Sequence, residues 1–75
     1  MEADQINRNI GRKIRELRNL NALTQQELAD AMGVSRASVI AWETGKTKIS
    51  TVCLMAFCYV TNVTISDISL PGEST

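Results

Sequence analysis

The sequence predicts an all-α domain of five helices, and three observations carry that prediction. Residues 24–45 hold two capped helix signatures, each closed by a glycine. Ile6, Ile10, Ile14 and Leu17 recur at spacings of four, four and three, the mark of a helix with one apolar stripe, and residues 52–60 run apolar without a break.

The first helix is expected over about residues 5–20, with Asp4 as its N-cap and Asn19-Leu20-Asn21 as its end. Arg8, Arg12, Lys13, Arg15 and Glu16 fall on its outer faces. Arg18 falls at the edge of the apolar stripe, where a charge needs a partner. Thr24 followed by Glu27 is a capping box that starts helix 2. Leu28, Ala29 and Met32 give that helix a short buried face, and Gly33 sits where a left-handed C-cap is wanted.

Ser35 caps again, and helix 3 covers about residues 36–44, ending at Gly45. Val39 and Trp42 point inward on its wheel, while Ala37, Ala41 and Thr44 point outward, flanked by Arg36 and Ile40 on one side and Ser38 on the other. A basic loop, Gly45-Lys46-Thr47-Lys48-Ile49, leads to Ser50, which can cap helix 4 over about residues 51–61, with Asn62 as its C-cap. Thr64 with Asp67 is read as the start of a last short helix holding Ile65 and Ile68.

Seventy-five residues make one small domain that buries only about 60% of the surface its unfolded chain exposes. The domain is expected to span residues 1–70, with a flexible tail at 71–75 after Pro71-Gly72. A helix as uniformly apolar as helix 4 asks to be buried all round, which a domain this small cannot do. The surplus predicts a partner, most simply a second copy, with Met55, Tyr59, Val63, Ile65 and Ile68 as candidate dimer contacts.

The start, Met-Glu-Ala-Asp-Gln, lacks the basic and apolar regions of a signal peptide, and no apolar run is long enough to span a bilayer. A cytoplasmic protein with no membrane association is the expectation. Without histidine a Cys/His zinc site is excluded. Cys53 and Cys58 lie about 140° apart around one helix and cannot bridge to each other, so both are read as buried reduced thiols.

Formal net charge is zero, but its distribution is uneven. All eight Lys and Arg fall between residues 8 and 48, with only Glu16, Glu27, Asp30 and Glu43 beside them; eight minus four leaves that segment at +4. Such asymmetry permits a nucleic-acid footprint without requiring one.

The unit at residues 24–45, carried by Thr24-Gln25, Leu28-Ala29, Gly33-Val34-Ser35, Val39, Trp42-Glu43 and Gly45-Lys46, resembles the helix-turn-helix of the Cro and cI-like (XRE-type) repressor family. Counting the flanking helices, the resemblance covers about residues 8–70. The alternative reading, an αα-hairpin in a small bundle with no DNA role, does not account for that many matching positions.

The resemblance implies a five-helix, lambda-repressor-like domain with helix 3 in the major groove. Arg36, Ala37, Ser38 and Ala41 are then candidates for base contact. Arg36 leads them because its donor fork matches the O6 and N7 atoms of guanine; the two alanines can meet only thymine methyls. Ile40 stands at the edge of that face, against a thymine methyl or helix 1. Gln25, Ser35, Thr44, Lys46 and Lys48 are candidates for phosphate contact. Arg18 and Glu43 occupy positions where the family commonly has an ion pair. Two positions depart from the family pattern: Ile49 stands where many members have proline, and Thr61 where leucine is common.

The expected function is sequence-specific binding of a double-stranded DNA operator, roughly palindromic, by a homodimer that regulates transcription, with repression the simplest output. No cofactor, metal or small-molecule ligand is implied, and without a histidine, a Gly-rich phosphate loop or a nucleophile with its base no enzyme is expected. The self-cleavage or inducer domains of longer repressors are not expected after residue 70. The alternative from another class is an antitoxin or similar interaction module whose DNA binding is secondary.

Overall fold

The computed structural model of the chain describes residues 2–68. Among these, four α-helices follow in order, α1 (Glu2–Leu20), α2 (Gln25–Met32), α3 (Arg36–Glu43) and α4 (Thr51–Thr61), and a 3-10 turn follows at Ile65–Ile68. The described residues are all-helical, with four α-helices and a 3-10 turn where five helices were expected. The Thr64–Asp67 signal is present, since the Asp67 carboxylate accepts from the Thr64 amide at 2.8 Å, but it opens only a 3-10 turn of four residues. The tail expected at residues 71–75 lies outside the described residues.

The local chemistry that starts each inner helix is visible atom by atom. Thr24 Oγ1 accepts from the Glu27 amide at 3.0 Å while Glu27 Oε1 accepts from the Thr24 amide at 2.8 Å, the complete capping box. Ser35 accepts from the Ser38 amide at 3.1 Å and Ser50 from the Cys53 amide at 3.2 Å. The ends are equally regular. After α2 and α3 the chain turns left-handed at Gly33 (φ 73°) and Gly45 (φ 76°), where a side chain would be strained. The next amides reach back, Val34 to the Ala29 carbonyl at 3.0 Å and Lys46 to the Ala41 carbonyl at 2.9 Å.

Helix α1 departs from expectation at both ends. It begins at Glu2, so Asp4 lies inside the helix and caps nothing. It closes with the same left-handed geometry, but the residue is Ala22 (φ 56°), with the Leu23 amide bonded to the Arg18 carbonyl at 3.2 Å. A Cβ in that region costs about 1–2 kcal/mol relative to a right-handed residue.

Packing then follows from the apolar faces. Ile14, Leu28, Ala29, Val39, Trp42, Ile49, Phe57 and Ile68 form one buried cluster, drawing on every element. Helix α3 packs on α1 and α2, α2 packs on α4, and α1 meets the 3-10 turn. Ile49, the departure from proline, is buried in this cluster. Thr61, the departure from leucine, is buried too, and its hydroxyl donates to the Phe57 carbonyl at 2.7 Å, so its polar atom is satisfied.

Only one side of α4 reaches the interior, as the size argument requires. Phe57 is fully buried, whereas Val52, Met55 and Tyr59, spaced three and four apart on one face, are 77%, 61% and 89% exposed. Cys53 and Cys58 are free and half-buried rather than buried. Partial burial, then the nearby Asp67 carboxylate, raise the Cys58 pKa and keep its thiol protonated. No helix among the described residues is long and apolar enough to cross a membrane.

Candidate nucleic-acid interface

The expected reading unit is α2, a three-residue turn at residues 33–35, and α3. Val39 and Trp42 are buried and fix α3 from beneath, so its opposite side must face outward. That side carries exposed Arg36, Ala37, Ile40 and Thr44, with Ala41 and Ser38 half-exposed. Arg36 has no ion pair or side-chain hydrogen bond among the described residues, and its fork is free for a ligand.

Several of the other candidates are already engaged. The Thr44 hydroxyl donates to the Ile40 carbonyl at 2.9 Å, leaving an oxygen that can accept but not a proton to give. The hydroxyls of Ser35 and Ser38 lie 3.0 Å apart and hydrogen-bond to each other while Ser35 caps α3. Lys46 and Lys48 are exposed in the loop after α3.

Beneath this surface lies a polar network joining three elements. Arg18 Nε donates to Glu43 Oε2 at 2.6 Å and Nη2 to Oε1 at 3.2 Å, a two-pronged pair. The remaining prong, Nη1, donates to the Leu23 carbonyl at 2.7 Å. The two side chains are 10% and 3% exposed. Gln25 Nε2 donates to Glu43 Oε1 at 3.1 Å, so the glutamine expected at a phosphate is also tied to the last residue of α3. One carboxylate therefore fixes α1, the start of α2 and the end of α3 together.

Two features were not legible as functional positions in the sequence. Gly11 is buried where α1 crosses the end of α3: a Cβ built there would lie 2.1 Å from the Trp42 carbonyl oxygen. Its only sequence signal is a lone glycine inside a helical pattern. The second is an open cleft of about 580 Å³ lined by Arg15, Arg18, Thr24, Gln25, Gln26 and Arg36. It brings a helix 1 arginine beside the expected reading arginine, and only the three-dimensional crossing of α1 over the unit puts them together.

Among the dimer candidates, Met55, Tyr59 and Ile65 are exposed and Val63 is half-buried. Ile68 is 4% exposed, packed in the chain's own core, and is corrected to a core residue with no surface to offer a partner.

A sequence model of the helix-turn-helix family matches residues 14–68. Antitoxin PezA of Streptococcus pneumoniae serotype 4 is 39% identical over 59 residues, covering 79% of this chain; the chain spans only 37% of that relative's length. Among solved structures, the clp gene regulator ClgR of C. glutamicum superposes with a TM-score of 0.80 at 25% identity, over 84% of this chain and 81% of that one. The restriction-modification controller protein C.AhdI of Aeromonas hydrophila gives 0.79 at 26%, over 83% and 94%. With the capped α2–turn–α3 unit already seen in atomic detail, these likenesses settle its family: the chain belongs to the XRE-type helix-turn-helix family, whose fold is that of DNA-binding transcriptional regulators.

Proposed function

We propose that the chain is a sequence-specific regulator that binds a roughly palindromic operator as a homodimer, acting by occupancy rather than catalysis, with repression as its output. The observation that carries this reading is α3 itself: an outward face of small residues, exposed Ala37 and half-exposed Ala41, beside one free arginine, Arg36, anchored from below by Val39, Trp42 and the Arg18–Glu43 pair. Small residues let the helix seat deeply in a major groove, and the arginine fork then reads a guanine edge. The regulators ClgR and C.AhdI, with the same fold, support this reading.

Selection of bound sites from random DNA is expected to yield an operator. On that operator Arg36→Ala loses about 1–3 kcal/mol and relaxes specificity at one position, whereas Lys46→Ala weakens all DNA alike and lowers the salt slope by about 1. Equal losses of both variants on operator and random DNA would overturn this division of roles.

A single eight-residue helix reads few base pairs, and a second copy supplies the other half-site about 34 Å away. The exposed α4 face of Val52, Met55 and Tyr59 supports self-association there, since contiguous apolar surface on a small domain marks an interface. Tyr59→Glu, at a position 89% exposed and hence neutral for folding, is expected to give monomers by light scattering. A dimer unchanged by this charge places the interface elsewhere.

The antitoxin relative supports a second reading, in which the same α4 face binds a partner protein. A small toxic protein encoded in the adjacent reading frame, held in a complex with this chain that Tyr59→Glu disrupts, would favour it.

A further inference from the structure

We propose that α1 is a third DNA-contacting element, in which Arg8 and Arg15 hold backbone phosphates at the two ends of the α3 reading face; the inference rests on the DNA-binding reading above. Arg8, Arg12 and Arg15 recur at spacings of four and three, so they form one row along α1. The row lies beside α3 because Gly11, between them, abuts the Trp42 and Glu43 carbonyls.

Its two ends are fixed independently. Arg8 lies over Gly45, just past the end of α3: a Cβ built at Gly45 would fall 2.7 Å from Arg8 Cγ and 3.0 Å from its Cα. Arg15 lines the cleft it shares with Arg36, the first residue of α3, and Gln25, the first residue of α2. Helix α1 therefore runs antiparallel to α3. Seven residues of rise, about 10 Å, set Arg8 and Arg15 against an eight-residue reading helix of about 12 Å.

The chemistry of the row distinguishes it from the other cations of α1. Arg18 commits each of its three guanidinium nitrogens to Glu43 or Leu23. Lys13 lies on another face and pairs with Glu16 at 3.5 Å. Arg8, Arg12 and Arg15 are exposed and have no ion pair among the described residues. Three like charges lie within about a Debye length of one another, an arrangement that a polyanion relieves. The spacing of the row and its position beside Gln25 and Arg36 fit a phosphate strand running past the reading helix, and Gln25, with one amide proton held by Glu43, has its second N–H left to donate to the same strand.

The test measures affinity for a random-sequence DNA duplex against NaCl concentration for the wild type, Arg15→Gln, Arg8→Gln and Lys13→Gln, with thermal melts to check the fold. Each arginine variant is expected to flatten the slope of log K against log salt by about 1, one released counterion's worth, while Lys13→Gln leaves it unchanged. Arg15 is exposed and away from the glycine crossing, so its variant decides the matter even where Arg8→Gln disturbs packing. A wild type that binds with Arg15→Gln at the same slope overturns this inference alone, as does a Lys13→Gln loss equal to that of Arg15→Gln. A wild type that binds no DNA overturns the DNA-binding reading and this inference with it.

Discussion

Arg18→Met is expected to destabilise the domain by about 3–5 kcal/mol, the cost of leaving one member of a buried ion pair without its partner. The Glu43 side chain is 3% exposed, so water cannot replace the guanidinium, and the substitution also leaves the Leu23 carbonyl without its donor. Gln25 remains as the carboxylate's one neutral donor, too little to hold a full charge. A domain of this length has about 4–11 kcal/mol in total, so the variant sits near the edge of folding.

The pair's net worth is a separate quantity. Two charges withdrawn from water lose hydration that their attraction only partly returns, and the double variant Arg18→Met with Glu43→Leu is expected to recover most of the loss. Urea melts of both singles and the double give the coupling. Single losses under about 1 kcal/mol, the scale of an exposed pair, would show that the site is wetter than its geometry says. The loss has a functional edge as well, because Glu43 closes α3: a helix no longer tied to α1 and Gln25 presents Arg36 less consistently, and operator binding should fall further than stability alone accounts for.

What was legible in the sequence was the chemistry that acts between near neighbours. Thr24 with Glu27, Ser35 and Ser50 cap because a hydroxyl two or three residues before an amide has only one good partner, and Gly33, Gly45 and Asn62 turn left-handed because they are the residues that do so at least cost. Helix 4 could be bounded to the residue on this basis. Arg18's need of a partner was legible from its position on the stripe, and the family pattern pointed to Glu43.

The rest required tertiary facts. Helix α1 extends back to Glu2 although Asp4 looks like a cap, since helix propensity carried through the first turn without a stop signal. Ala22 adopts the left-handed turn because Leu23 must return to bond Arg18, not because alanine favours it. Ile68 reads as a dimer contact when the chain's apolar surplus is assigned to a partner, yet the 3-10 turn rotates it into the core. Gln25's bond to Glu43 and Arg15's nearness to Arg36 join residues 18 and 21 positions apart, beyond any local rule.

Gly11→Ala sets two effects of opposite sign against each other, and the structure decides between them. In an isolated helix the change is stabilising by about 1 kcal/mol, because alanine loses less backbone entropy on folding. Here Gly11 is buried at the crossing of α1 and α3, and the added carbon would lie 2.1 Å from the Trp42 carbonyl oxygen and 3.0 Å from that of Glu43. Both obstacles are backbone, which cannot rotate aside as a flexible side chain would, so α1 and α3 must separate. Separation draws Arg18 from Glu43 and lifts α1 from the core around Ile14, losses that exceed the propensity gain. A net destabilisation of about 2–3 kcal/mol is expected, near the upper end for overpacking and read as a fall in Tm of roughly 10 °C or more for a domain this small. The matched change at an exposed site of the same helix, Arg12→Ala, should leave Tm within a few degrees, isolating the clash from general effects on α1. An unchanged or raised Tm for Gly11→Ala would mean that α1 crosses α3 farther out than this packing requires, and the positions of Arg8 and Arg15 beside the reading helix would fall with it.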